Sequence, residues 1–280
     1  MTKRPNTMRN SVLAIVLISM FLLSSCGQAQ PQATTPAPTS TPQPPTATPV
    51  PPKTLVVCLG AEPQNLYLYG DSSRAKWSVL EAIYDGPVDT VNYEPVPVIL
   101  EDLPTLGNGG ITLQAVMVGE GDPVANVTGD IVALKKGVKV FPAGCTSAEC
   151  ALQWDGETEL ELNQMVVSFS LLDSITWSDG TPLTAEDSVF SFEVSADPAT
   201  AVTKTNIDRT FSYAALDEKT VQWVGQPGYL TLNPAAFFWS PLPRHQLGEL
   251  SAEELNTADL ANVTPLRSEE RRVGKECRSR

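Results

Sequence analysis

Histidine is almost absent from this sequence: its 280 residues contain one, His245. A histidine-built metal site is therefore excluded, and none of the common catalytic motifs takes its place. The phosphate-cradling G-x-x-x-x-G-K-[ST] loop, the G-x-S-x-G nucleophile elbow and the H-E-x-x-H zinc helix are all missing. So is any apolar run of the roughly 20 residues that a membrane-spanning helix needs. Positive charge is also scarce. Of the 19 Lys and Arg, three lie in the first nine positions and six in the last 14. With these and the tail's three acidic residues set aside, 10 basic residues face 29 acidic ones, a net of −19. That balance argues against nucleic acid as a partner, because phosphate is held by Lys and Arg.

What is present first is an export address. Lys3, Arg4 and Arg9 precede an apolar stretch from Val12 to Leu23, broken only by Ser19. At about a dozen residues this has the length of a secretory signal core. It ends in Leu23-Ser24-Ser25-Cys26-Gly27, which resembles a lipobox. Residues 1–25 are therefore expected to be a signal peptide, with Cys26 acylated as the new N-terminus. The expected location is extracytoplasmic, lipid-anchored to the outer face of the cell membrane or in the periplasm. From Gln28 to Pro52 the chain is almost wholly Pro, Thr, Gln, Ala and Ser, with nine prolines between Pro31 and Pro52. Such a composition cannot bury a core. In polyproline II, 25 residues reach roughly 75 Å, so residues 26–53 read as a stalk.

Cysteine is used sparingly, at Cys26, Cys58, Cys145, Cys150 and Cys277. Cys145 and Cys150 flank four residues in a loop that follows Gly144. Outside the cytoplasm this spacing suits a disulfide; a metal site is the rival, and one histidine gives it little support. Cys58 sits in the apolar run Leu55 to Leu59 and reads as a small buried hydrophobe.

That run is expected to be a buried opening strand, delivering the turn-rich Gly60-Ala61-Glu62-Pro63-Gln64-Asn65-Leu66. Arg74 to Tyr84 reads as a helix with Trp77, Leu80, Ile83 and Tyr84 on its apolar face, stopped by Asp85-Gly86-Pro87. Tyr93 to Val98 reads as an extended connection, because of Pro95 and Pro97. Strands are expected at 111–118, 131–134, 138–140, 164–171 and 220–224. Between the last two, Asp179-Gly180 makes a tight turn, and Thr184 with Asp187 forms a capping box for the helix that follows. Ser251 begins a further capped helix.

The segment Trp177-Ser178-Asp179-Gly180-Thr181-Pro182-Leu183-Thr184-Ala185-Glu186-Asp187 resembles the signature of the family 5 solute-binding proteins. Those proteins serve ABC importers of oligopeptides, dipeptides, nickel and related solutes. Weaker matches are Leu55–Leu66, Val79–Val88, Asp217–Trp223 and Leu242-Pro243-Arg244-His245, where Arg244 replaces a lysine. The resemblance covers about 54–266, with 107–164 read as an insertion. It implies an α/β, two-lobed fold of the periplasmic-binding-protein type, class II. Its partners would be an oligopeptide or similar small solute and an ABC permease and ATPase complex; no cofactor, metal or catalytic residue is implied. By position, Ala61, Glu62, Pro63 and Gln64 would line the cleft and offer backbone hydrogen bonds to an extended peptide.

Plainer roles account for other conspicuous residues. Asp179, Glu186 and Asp187 are explained as turn and cap residues rather than paired acid–base carboxylates, His245 as part of a turn, and Trp177 as core. Two other functions share the anchor and the acidity: an adhesion or signalling lipoprotein without a transport role, and an anchored hydrolase whose site lies elsewhere. Finally, Arg267 to Arg280 resembles a translated sequencing adapter, and the family pattern continues beyond Leu266. The expectation is that 267–280 is foreign and the natural frame continues, which sequencing the locus across codons 255–285 tests.

Overall fold

The computed structural model describes residues 56–70, 72–145 and 147–257. The signal, Cys26, the stalk and the last residues, including Cys277, lie outside the described residues. Helix α1 is Arg74–Ile83, followed by β1 Val88–Val91, β2 Glu94–Pro97, β3 Ile111–Val118, β4 Pro123–Ala125, β5 Ile131–Ala133, β6 Lys139–Val140 and β7 Leu152–Gln153. Then come β8 Leu160–Ser170, α2 Ala185–Ala196, α3 Thr205–Asp208, β9 Thr210–Ala215, β10 Thr220–Gly225, α4 Arg244–Leu247 and α5 Ala252–Thr257.

One four-stranded antiparallel sheet, in the order β3-β8-β10-β9, organises the fold. Its long strand β8 serves two cores, because its side chains alternate between faces. Toward the C-terminal end, Met165, Val167 and Phe169 face the larger core. There Val167 stands opposite Trp223 of β10, which stands opposite Tyr213 of β9. Helix α2 adds Phe190 and Val194 to the same core. Toward the N-terminal end, Leu160 and Leu162 point to the other face. They join Val118, Val124, Leu134, Val140 and Trp154 in a smaller core. The short hairpins that surround it thus have apolar support of their own, and they fall inside the span read as an insertion.

Three local expectations are corrected. Residues 56–59 form no strand: Val56 and Val57 are 81% and 68% exposed, and Cys58 is exposed rather than buried. An apolar run becomes a strand only with an edge to pair with, and no described strand pairs with this one. In α1 the buried positions are Lys76 and Leu80, while Trp77 is 42% exposed. The helix is rotated so that the Lys76 stem lies inward and its Nζ donates to the carbonyl of Tyr67 (3.0 Å). Residues 93–98 are not a mere connection. They form β2 and its turn, paired with β1 from Val88↔Pro97 to Val91↔Glu94.

The turn of that hairpin places Asn92 and Tyr93 at φ 52° and 67°. Two left-handed residues match the twist of the flanking strands, but a tyrosine is strained there. Tyr93, 99% exposed, makes no compensating packing. Tyr93→Gly is expected to raise stability by about 0.5–1 kcal/mol, read as a higher urea midpoint at unchanged slope.

Candidate functional site

The expected cleft loop is surface throughout. Ala61, Glu62 and Gln64 are exposed and Pro63 is half-buried. Its far end is held down. Asn65 Oδ1 accepts from the amide of Tyr67 (3.2 Å), and Tyr69 donates its hydroxyl to the carbonyl of Ser240 (2.8 Å). Tyr67 and Leu68 are buried in the larger core. An exposed tip on a fixed base is the arrangement a binding loop needs.

The signature segment builds a second, denser arrangement. Gly180, at φ 85°, closes the turn by donating its amide to the carbonyl of Trp177 (2.9 Å). Trp177 and Leu183 then enter the core, 3% and 2% exposed. Asp187 lies in the first turn of α2 and is only 4% exposed. Its carboxylate accepts from the amide of Thr184 (2.9 Å), from the Trp177 indole (3.2 Å) and, across 57 residues, from the amide of Arg244 (2.9 Å). The cap thus fastens the start of α4 to the start of α2. On the surface above it, Arg244 Nη1 meets Glu186 Oε2 at 2.6 Å.

Asp179 works in the same way from the turn. Its Oδ1 accepts from the amide of Thr181 (2.9 Å), while Oδ2 meets His245 Nε2 and Gln246 Nε2, each at 2.8 Å. The His245 contact first, then the Thr181 amide, hold the Asp179 carboxyl well below the usual carboxylate range. The turn role expected for Asp179 and the cap role expected for Asp187 are present, whereas Glu186 sits in the first turn of α2 and meets Arg244 instead. Their three partners in α4, 57 to 67 residues away, had no local sequence signal.

The depressed Asp179 carboxyl gives a signed pH effect. A carboxyl with a folded pKa below its unfolded value of 3.8 stabilises the fold above that value. The contribution is lost as pH falls through the folded pKa. The gap in thermal midpoint between the wild type and Asp179→Asn should therefore shrink as pH falls below about 4. A gap that stays constant from about pH 4 down to about pH 2 would remove the carboxylate's hydrogen bonds from the account.

Beneath this surface, Ser188 Oγ lies 2.6 Å from the Tyr213 hydroxyl, which also accepts from the amide of Trp239 (3.1 Å). Burial pushes the Tyr213 and Tyr84 phenols up, so both stay neutral. These are structural hydrogen bonds. No group of three or more His, Cys, Asp or Glu that could hold a metal occurs among the described residues.

Two sizeable cavities lie elsewhere. One, about 580 Å³, sits between the β4–β5 hairpin and the chain around α3, with Asp130, Asp208, Arg209 and Gln226 at its wall. The other, about 470 Å³, is lined by Phe141, Pro142, Tyr229 and Leu230 and by the loop containing Cys145. There the chain is pinched by a disulfide between Cys145 and Cys150, Cα atoms 5.7 Å apart. Neither cavity is lined by Ala61–Gln64.

The family match falls on the signature and the strands around it. The pattern defining the bacterial extracellular solute-binding proteins, family 5, middle region, matches residues 151–257. The periplasmic oligopeptide-binding protein OppA of Escherichia coli is 34% identical over 127 residues, 44% of this chain. Its counterpart in Salmonella typhimurium is 33% identical over the same length. The match spans 22% of each of these relatives. Among solved structures, the oligopeptide-binding protein of Thermus thermophilus with a pentapeptide aligns over 66% of this chain and 23% of its own, at 15% identity and TM-score 0.41. NikZ of Campylobacter jejuni with Ni(L-His) aligns over 72% and 29%, again at 15% identity and TM-score 0.41. The family consists of solute-binding proteins rather than enzymes. Residues 151–257, with the Asp187-centred turn and cap inside the matched span, are similar to the middle region of the bacterial extracellular solute-binding proteins, family 5.

Proposed function

We propose that this chain captures a small solute, an oligopeptide first of all, outside the cytoplasm and presents it to an ABC permease and ATPase complex. The observation that carries this reading is the family match over residues 151–257, with relatives named as oligopeptide-binding. The described domain would form one wall of a cleft that closes by a hinge. Ala61, Glu62, Pro63 and Gln64 would meet the ligand there, because they form an exposed tip on a base fixed by Tyr67 and Tyr69. Main-chain bonding to an extended peptide suits a loop whose side chains are free of the core.

Titration calorimetry of the full-length chain with mixed tetra- to hexapeptides tests the reading. Ala61→Pro removes one backbone donor from the tip and is expected to weaken binding about tenfold, the effect of roughly one good hydrogen bond, with the thermal midpoint unchanged. Peptide binding insensitive to this substitution and to Glu62→Ala would place the ligand elsewhere. No binding to any peptide would sink the oligopeptide assignment.

The anchor has its own test. Cys26 would carry the lipid and 26–53 would act as the stalk. Cys26→Ser is expected to abolish labelling by a radioactive fatty acid in cells and to move the protein from the detergent phase to the aqueous phase. The Cys145–Cys150 loop would stay closed in this oxidising location. Alkylation and mass spectrometry before and after reduction should show those two thiols only in the reduced sample.

A further inference from the structure

Strand β3 is an edge of the four-stranded sheet, and among the described residues nothing pairs with its outer side. Its sequence, Ile-Thr-Leu-Gln-Ala-Val-Met-Val, holds no charge and no proline over eight residues. Natural edges are ordinarily blunted by a lysine, a proline, a bulge or brevity, and β3 has none of these. Its register with β8 runs unbroken from Ile111↔Val167 to Val118↔Leu160.

The pairing pattern shows which groups face outward. The amide of Ser168 donates to the carbonyl of Gly110, which makes that pair, and every second one after it, the hydrogen-bonded set. Thr112, Gln114, Val116 and Val118 therefore bond to β8. Ile111, Leu113, Ala115 and Met117 turn their backbone groups away from it. The Ile111 amide is taken by the carbonyl of Thr105 (2.9 Å). Leu113, Ala115 and Met117 are left presenting donors and acceptors to solvent along one line. Leu113 and Met117 also expose their side chains, at 45% and 54%.

The surroundings decide what fits. At the Ile111 end stand Glu101 and Asp102, both exposed, with the Glu101 amide donating to the carbonyl of Ser170. At the Val118 end stand Glu120, Asp122 and Glu161, against Lys135 and Lys136 in the adjoining turn. Carboxylates outnumber cations at both ends, by two to none at the Ile111 end and three to two at the Val118 end, which disfavours a second copy. Antiparallel pairing of two β3 strands would set one acidic end against the other. The complementary partner is an extended segment with an apolar, β-forming centre and basic residues at both ends.

We propose that the outer edge of β3 is a docking site for such a basic-ended segment of another protein, which adds to the sheet as a fifth strand. The site goes beyond solute capture: it lies on the sheet edge and not on the loop of Ala61–Gln64. An added strand gains main-chain bonds from Leu113, Ala115 and Met117, side-chain contact with Leu113 and Met117, and charge pairing at its ends.

The test uses the full-length chain and a fluorescent probe peptide, Lys-Lys-Thr-Val-Thr-Val-Thr-Val-Lys-Lys, with a second probe carrying Glu in place of every Lys. Ala115→Pro is the informative variant. Its amide faces away from β8, so the substitution leaves the β3–β8 ladder intact while removing the central donor for an added strand. Ala115→Lys is the backup, keeping the donor but placing a cation on the edge. The expected result is saturable binding of the basic probe, at least about tenfold tighter than the acidic one, weakened at least about tenfold by either variant and by raised salt. Circular dichroism should be unchanged in both. Equal affinity for the two probes, binding unaffected by both variants, or no binding at millimolar probe would each overturn the proposal. Salt-stable dimerisation of the chain alone, lost in Ala115→Pro, would overturn it in favour of self-association.

Discussion

Asp187→Ala is expected to destabilise the described domain by about 3–5 kcal/mol, the order expected when three buried neutral donors lose their common acceptor. The carboxylate is 4% exposed and is shared by three elements: the amide of Thr184, the indole of Trp177 and the amide of Arg244. Its loss strands those donors in a site too enclosed for ready solvation, and each stranded donor costs about 1–3 kcal/mol. Asp187→Asn keeps the volume but turns one acceptor into a donor facing a donor, so it should fall between the wild type and alanine. Urea unfolding monitored by tryptophan fluorescence reads both. A loss below about 1 kcal/mol for the alanine variant would mean that the cap is merely local and that Arg244 finds another partner. A loss in the expected range with peptide affinity unchanged would show that the signature positions the fold without touching the solute.

The same residues mark how far the sequence could be read. The turn at Asp179-Gly180 and the Thr184/Asp187 box are local chemistry: one glycine with positive φ and one side chain reaching back three residues. Local chemistry is written in consecutive letters, and both were legible. The strands 111–118 and 220–224 were legible too, because alternation or continuous apolarity ran long enough to set their faces. The bonds from Asp179 to His245 and Gln246, and from Asp187 to Arg244, join positions 57 to 67 residues apart. Nothing at either end announces the other. The β1–β2 hairpin was missed for a different reason. Its turn uses Tyr93 where glycine would ordinarily sit, and its second strand contains two prolines. Both features read against a strand unless it is a free edge.

The run at 55–59 shows the converse error. Leu-Val-Val-Cys-Leu has every property of a buried strand, yet hydrophobicity supplies only the demand for a partner and a cover. The described sheet ends at β3 on one side and β9 on the other, and 56–59 pairs with neither. The candidate site inherits that ambiguity. The tip at Ala61–Gln64 is read from its place after the run and from the resemblance, whereas Tyr67, Leu68 and Tyr69, which anchor it, carried no functional signal. They look like ordinary core aromatics and aliphatics, and only the bond from Tyr69 to Ser240 shows that they also fix the loop.

Trp223→Ala should have a comparable effect, about 3–5 kcal/mol, through packing rather than charge. Trp223 is fully buried at the centre of β10, between β8 and β9, and its ring lies 4.4 Å from that of Phe237. Its indole donates to the Thr210 hydroxyl (2.8 Å) at the start of β9, beside the irregular pairing at Val224 and Gly225. Gly225 is shaped to the same ring: a Cβ there would stand 2.7 Å from its edge. Removing the indole leaves a void that the neighbouring strands, fixed by their ladders, can close only in part. The two positions should also couple. Gly225→Ala ought to be severe in the wild type, where its methyl meets the indole, and much milder in Trp223→Ala, where the space is empty. A double-mutant cycle measures this directly, with a coupling of at least about 1 kcal/mol expected for groups in contact. Strict additivity would mean that β10 shifts to relieve the clash, so that the strand is held by its partners and not by the ring at its centre.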